Sequence, residues 1–287
     1  MLISSQVPGK GTEMTGAPER GSGRVNGASF YYEIMGEGAP LVLVHAGIAD
    51  GRMWDGQFEA FAGRYRVVRY DMRGFGRTVV TSGGTYSHHE DLRGLLDYLG
   101  IERACFVGCS MGGKTVIDFA LEFPERTRAL VLVGPAVGGF EPDVDPPEEW
   151  DELVAADEAG DFERVSELEV RVWVDGPYRG TDRVDPAVRD LVREMNLIAL
   201  KNEAAGSGDE PPLRPPAANR LTEIQVPALV LVGDRDRPEI VATADLLEER
   251  LPKAQKVVMP GTAHLPNMER PEEFNRIVLE FLDGLGV

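Results

Sequence analysis

The stretch FVGCSMGGKTV, Phe106 to Val116, carries two overlapping motifs that exclude one another. From Gly108 to Gly112 it reads G-x-S-x-G, a sharp strand-to-helix turn that lifts a serine nucleophile out of the backbone. From Gly108 to Thr115 it reads G-x-x-x-x-G-K-T, a loop whose backbone N–H groups cradle phosphates at the start of a nucleotide-binding helix. Both require a buried strand before the turn and a helix after it. The surrounding chain must choose between them.

Working outward, Ala104 to Val107 is the strand before the turn, and Thr115 to Glu122 continues as helix until Phe123 and Pro124 end it. Further short apolar runs lie at Leu41 to Val44, Arg66 to Tyr70, Ala129 to Val133, Ala228 to Val232 and Lys256 to Met259. Ala28 to Met35 alternates as an edge strand would. Between the runs fall helical patterns, such as Glu90 to Leu99 with Leu92, Leu95, Leu96 and Leu99 on one face, and a final helix from Pro271 to Leu285. Strands alternating with helices predict an α/β fold with a mostly parallel central sheet covered on both faces.

Residues 1–22, rich in Gly, Pro, Ser and Thr, are expected to form a flexible tail. The sheet rhythm is expected to fill 23–135 and 224–287. Residues 136–223 contain no such strands, only acidic, helix-forming sequence, with Asp185 capping Pro186 and Val188, Leu191, Val192 and Met195 at helical spacing. This predicts a helical insertion that ends in the irregular GSGDEPPLRPP, Gly206 to Pro216.

The 287 residues are 43% hydrophobic, enough for a large core. A formal charge of −18, from 48 acidic against 30 basic residues, opposes nucleic acid or an anionic membrane as partner. No apolar run approaches the roughly 20 residues that cross a bilayer, and no secretory-signal pattern opens the sequence, so a cytoplasmic protein is expected. Cys105 and Cys109, four apart along a strand, share a face at a spacing too long for a bridge and are expected to be buried free thiols.

With 33 glycines in the chain, a chance G-x-S-x-G is not rare, so the motif needs corroboration. A serine nucleophile needs an imidazole to take its proton, an acid to orient that imidazole, and N–H groups aimed at the developing oxyanion. Of four histidines, His264 in GTAHLPNMERP follows the strand Lys256 to Met259 and so projects at the carboxyl edge of the sheet. At the same edge GDRD supplies Asp234 and Asp236 after Ala228 to Val232. The phosphate-loop reading has Lys114 and Thr115 in place and Asp234 as a magnesium ligand. It leaves His264 without a role and puts the loop after several strands, so the nucleophile reading explains more.

At this point the sequence resembles the α/β-hydrolase family from about Gly23 to the C-terminus. The matching segments are LVLVHAG (Leu41 to Gly47), RYDMRGFGRT (Arg69 to Thr78), VGCSMGG (Val107 to Gly113), FPERTRALVLVGP (Phe123 to Pro135), VPALVLVGDRD (Val226 to Asp236) and GTAHLPNMERPEEF (Gly261 to Phe274). The resemblance implies that the insertion is a cap over the active site and that Gly-x-x-Asp selects Asp236 over Asp234, giving the chain order Ser110, Asp236, His264. It also implies that the N–H of Met111 is one oxyanion donor and that of Gly47 the other. His45-Ala46-Gly47 departs from the usual His-Gly-x, which leaves Ala46 and Ile48 as alternatives for the second donor.

What the resemblance implies is a serine hydrolase without cofactor or metal, cleaving a small-molecule carboxylic ester or lactone, most similar to enol-lactonases and carboxylesterases. Carbon–carbon bond hydrolases share the triad but usually carry Trp after the catalytic histidine, where this chain has Leu265. A non-hydrolytic sensor with an intact triad is a further alternative. His45 is expected to brace its loop, and Asp71 and Arg73 to lock a turn. His88 and His89, with no ligand cluster around them, are expected to be solvated rather than metal-bound. Trp150, Trp173 and Met195 are expected to form the core of the insertion or the wall of an acyl pocket.

Overall fold

Asn26 and Gly27 both take positive φ, 45° and 76°, as a two-residue type I′ hairpin turn requires. They join β1 (Glu19–Val25) to β2 (Ala28–Met35), antiparallel from Val25 opposite Ala28 to Glu19 opposite Ile34. The computed structural model describes residues 16–286. Most of the expected tail, 1–15, lies outside the described residues, and its last part is corrected: residues 19–22 belong to β1. The rings of Tyr32 and Tyr98 occupy the space that side chains on Gly21 and Gly23 would need, which is why a glycine-rich segment packs here. β2 is therefore not an edge, because β1 and β4 flank it.

After β3 (Pro40–Val44) come α1 (Asp55–Ala62), β4 (Arg66–Tyr70), the two-residue β5 (Val79–Val80), α2 (His88–Tyr98), β6 (Ala104–Cys109), α3 (Met111–Glu122) and β7 (Thr127–Val133). Three helices follow without an intervening strand, α4 (Trp150–Glu158), α5 (Phe162–Glu169) and α6 (Pro186–Ala204). The sheet resumes with β8 (Ala228–Gly233), α7 (Pro238–Arg250), β9 (Ala254–Met259), α8 (Pro266–Glu269) and α9 (Pro271–Gly284). The strand order is β1-β2-β4-β3-β6-β7-β8-β9, with β5 on β2, and all pairs from β4 to β9 are parallel.

β6 lies mid-sheet with every residue buried. Its period-2 alternation sends Ala104 and Phe106 into one apolar core, with Leu92, Leu95 and Phe119, and Cys105, Val107 and Cys109 into the other, with Trp54 and Phe274. Both cysteines are free, and burial pushes the Cys105 thiol up to about 11.

Charge pairs link the segment between β7 and β8 to the turn after β3 and to α8. Arg52 Nη1 reaches Glu194 of α6 at 2.5 Å, and Arg179 Nη1 reaches Glu269 of α8 at 2.5 Å. Asp185 accepts from Ala187 N at 2.9 Å, capping α6. No helix among the described residues is long and apolar enough to cross a membrane.

Candidate active site

β6 ends at Cys109 and α3 begins at Met111, so the chain turns at a single residue. That residue, Ser110, has φ 53° and ψ −114°, a conformation L-residues rarely adopt, and Asn26 is the only other non-glycine described at positive φ. The turn is this tight because two glycines let backbone meet backbone. A Cβ on Gly108 would collide with Gly112 O, and one on Gly112 with Val44 O. A turn of one residue has no cradle for phosphates. Lys114, which the nucleotide reading needs free, holds its Nζ 3.2 Å from Asp118 Oδ2 and 3.5 Å from Glu210 Oε1. The phosphate-loop reading fails on both counts.

His264 and Asp236 meet at the carboxyl ends of the strands; spacing leaves Asp234 and Asp236 open, and the family resemblance points to Asp236. His264 Nδ1 lies 2.9 Å from Asp236 Oδ2, and both side chains are buried. The other carboxylate oxygen accepts from Arg237 N at 2.8 Å, so the acid is fixed at both ends. A carboxylate only accepts, which puts the imidazole proton on Nδ1 and leaves Nε2 with a free lone pair. Asp234 stands apart as a turn residue, accepting from Gly261 N at 2.5 Å.

Ser110 sits beside this pair. Its N–H donates to Val133 O at 2.9 Å, and the neighbouring Gly134 is so close to the pair that a Cβ there would stand 3.1 Å from His264 Nδ1. The Cys109 thiol, one residue before Ser110, points to His264 O at 3.9 Å. Among the described residues no hydrogen bond joins Ser110 to His264, a contact that commonly tightens only when substrate is bound.

Gly47 faces Met111, since a Cβ on it would stand 3.7 Å from Met111 Cβ. Of the alternatives to Gly47, Ala46 has its N–H engaged by Met53 Sδ at 3.2 Å. His45 braces this loop from the buried side. Its Nε2 accepts from Met72 N at 2.9 Å, so Nδ1 carries the proton and donates to Ala46 O at 2.8 Å. Burial lowers its pKa to about 4 and keeps the ring neutral.

Residues 41–277 match the model of the alpha/beta hydrolase family. The chain belongs to that family. A 2-hydroxy-6-oxononadienedioate/2-hydroxy-6-oxononatrienedioate hydrolase of Burkholderia vietnamiensis is 33% identical over 252 residues, covering 84% of this chain and 86% of that protein. Among solved structures, the enol-lactonase of Burkholderia xenovorans superposes with a TM-score of 0.74 at 27% identity, over 91% of this chain and 99% of that one. A thermophilic esterase of Thermogutta terrifontis gives 0.75 at 27% identity, over 95% and 100%.

In this alpha/beta hydrolase the three expected insertion residues have three different fates. Trp173 lies over His264, ring centroids 4.7 Å apart. Met195 is fully buried, and its Sδ accepts from Asp50 N at 3.4 Å, so it ties α6 to the loop after β3. Trp150 is 49% exposed, which corrects its expected place in a core or pocket wall: it stands at the solvent-facing start of α4.

Two further corrections concern polar residues. Arg73 does not close its own turn but reaches Asp91 of α2, with Nε to Oδ2 at 2.7 Å, and Nη2 to Asn26 O at 2.6 Å. Asp71 does hold a turn, accepting from Gly51 N and Arg77 N, both at 2.8 Å. His88 is buried rather than solvated, and lines a cavity of about 580 Å³ whose wall includes Gly47 and Met111. Helical spacing carried that signal, since His88 precedes Leu92 by one turn on the buried face of α2.

Proposed function

We propose that the protein is a serine hydrolase that cleaves a carboxylic ester or lactone through an acyl-enzyme, with Ser110 as nucleophile, His264 as base and Asp236 as orienting acid. The observation that carries this reading is the buried His264 to Asp236 bond of 2.9 Å, at the sheet edge where Ser110 turns with φ 53°.

His264 Nε2 takes the Ser110 proton as Oγ attacks the carbonyl carbon. The tetrahedral oxyanion is held by the N–H groups of Met111, at the start of α3, and Gly47. The imidazolium returns the proton to the leaving alkoxide, and Asp236 stabilises its charge meanwhile. Water then attacks the acyl-enzyme with His264 again as base, and a second collapse frees the acid and Ser110. No step calls for a metal or cofactor. The helices between β7 and β8 act as a cap, which brings Trp173 over His264.

The likeness to an enol-lactonase and an esterase over nearly the whole chain supports the ester or lactone assignment. Carbon–carbon bond hydrolysis is the second reading, favoured by 33% identity to a hydrolase named for a dienedioate. Leu265 after His264 weighs against it.

The deciding experiment is intact-mass spectrometry with peptide mapping after treatment with a small fluorophosphonate. One adduct on Ser110, lost in His264→Ala, is expected. Turnover of ester and lactone panels, set against a 2-hydroxy-6-oxo-dienoate, then separates the two bond types. No adduct on folded protein would end the serine-hydrolase reading.

A further inference from the structure

The cavity bounded by Gly47 and Met111 has an uneven charge. Four carboxylates line it, Glu169, Glu203, Asp209 and Glu210, against one guanidinium, Arg73. Arg73 is already neutralised, because Asp91 takes its Nε at 2.7 Å and its Nη2 at 3.1 Å and both side chains are buried. Lys114, behind Glu210, is shared between that residue and Asp118. Glu169 accepts from Asn196 Nδ2 at 2.6 Å. Its carboxyl is raised by burial, opposed by that bond and raised further by the charge of Glu203. The excess in the cavity is negative.

A second observation points to a ligand. His88, only 4% exposed, lines the same cavity; its Nδ1 is enclosed without a hydrogen-bond partner, and among the described residues no hydrogen bond reaches its Nε2, the nitrogen left to meet a ligand. A buried ring whose nitrogens have no partner in the fold is costly unless something binds to the accessible one. Burial holds this ring's pKa down at about 4, so at neutral pH it offers polarity without charge.

We infer that the cavity receives the end of the substrate remote from the scissile carbonyl, and that this end carries hydrogen-bond donors and no negative charge, as a hydroxyl or an ammonium group does. This rests on the hydrolase reading above. The carboxylates of Glu169, Glu203 and Glu210 are acceptors only, so they pair with O–H or N–H and repel a carboxylate, more strongly at the half-buried Glu169 and Glu210 than at Glu203 on the exposed rim. The neutral His88 adds a polar contact that favours neither sign of charge. Selection against an anionic tail is thus built into the wall next to the reacting serine.

The test uses four p-nitrophenyl esters of equal chain length: hexanoate, 6-hydroxyhexanoate, 6-aminohexanoate and the adipate monoester. kcat/KM for the hydroxyl or the ammonium ester should exceed that for hexanoate by at least about fivefold, and the adipate monoester should fall at least about tenfold below it. Whichever of the two donor esters is faster identifies the tail. In Glu203→Gln and in Glu169→Gln the ratio of adipate to hexanoate turnover should rise severalfold.

In parallel, 6-aminohexan-1-ol, hexane-1,6-diol and adipate are compared as protectants of Ser110 against the fluorophosphonate. Adipate should protect least. An adipate monoester cleaved as fast as hexanoate, protection by adipate alone, or a ratio unmoved in both variants would overturn the inference while leaving the hydrolase reading intact. Absence of both labelling and ester turnover would instead overturn the hydrolase reading, and this inference with it.

Discussion

The indole of Trp173 lies over the imidazole of His264, ring centroids 4.7 Å apart and planes tilted by 41°. Trp173 comes from a π-helical turn, Val170–Asp175, continuing α5, a distortion that recurs at functional sites. The guanidinium of Arg237 stands 5.8 Å from the same indole. A residue between β7 and β8 thus packs against the imidazole in the loop after β9. Trp173→Ala should lower kcat/KM by about tenfold, the equivalent of about 1.4 kcal/mol for a lost aromatic contact. Trp173→Phe should keep activity within about threefold of the parent. Equal, large losses in both variants would mean that the indole matters for some reason other than stacking, and steady-state kinetics on one ester decides it.

How far the site could be read from sequence depended on how local its signals were. Ser110, Asp236 and His264 each follow a sheet strand, and strands in a parallel sheet all present their carboxyl ends at one edge, so order along the chain put them at one edge; it offered Asp234 equally, and only the resemblance pointed to Asp236. β1 was hidden because Gly21 and Gly23 give it no apolar pattern. Its packing comes from the rings of Tyr32 and Tyr98, and the one signal that could have revealed it is Asn26-Gly27, a pair suited to a hairpin turn. Trp150 and Trp173 look equivalent in sequence, yet one is exposed and the other covers His264, because helices joined by irregular loops have no sheet register to set which face turns inward. Arg73 and Asp91 are 18 residues apart and meet only through the tertiary fold.

That pair is the basis of a stability prediction. Arg73 and Asp91 have side chains 2% exposed each, and Arg73 also lies 4.8 Å from the ring centroid of Tyr86. Removing one partner strands a buried charge. Arg73→Met and Asp91→Leu should therefore each destabilise the fold by about 3–5 kcal/mol, whereas the double variant should cost clearly less than the sum of the single changes. Urea midpoints of the four proteins test this. Strict additivity would show that the pair is not energetically coupled.

The buried histidines set how stability responds to acid. His45 and His88 are held by burial at about 4, below the ordinary 6.5. Between those values the unfolded chain binds protons that the folded chain refuses. Their contribution is fully present above about 6.5 and is lost as the pH falls toward 4. Asp71 acts in the opposite sense. Burial, then the charge of Asp50, raises it to about 6, so the folded state takes up this proton first and gains between about 6 and 4. At roughly 1.4 kcal/mol per pKa unit, two histidines outweigh Asp71, and these three groups together cost about 2–3 kcal/mol between pH 7.5 and pH 5, a loss that Asp91, Asp118 and Glu169, all raised by burial, reduce. His88→Leu should shrink that loss in urea titrations at the two pH values. A loss unchanged in the variant would show that His88 is not one of the groups responsible.

Gly47 offers a separate handle on acyl size. A Cβ there would stand 3.7 Å from both Cβ and Sδ of Met111, an ordinary contact, so Gly47→Ala should fold and turn over small esters at close to the parent rate. A larger side chain at the same position would extend past Met111 into the cavity that both residues line. Gly47→Phe should therefore depress hydrolysis of long-chain or aromatic acyl esters by at least about tenfold more than that of an acetyl ester, since filling a pocket discriminates by shape. Comparing kcat/KM for acetate and benzoate esters of one alcohol measures this directly. If the ratio stays at its parent value, the acyl chain leaves Ser110 in another direction, and the cavity beside Gly47 holds the alcohol part of the substrate instead.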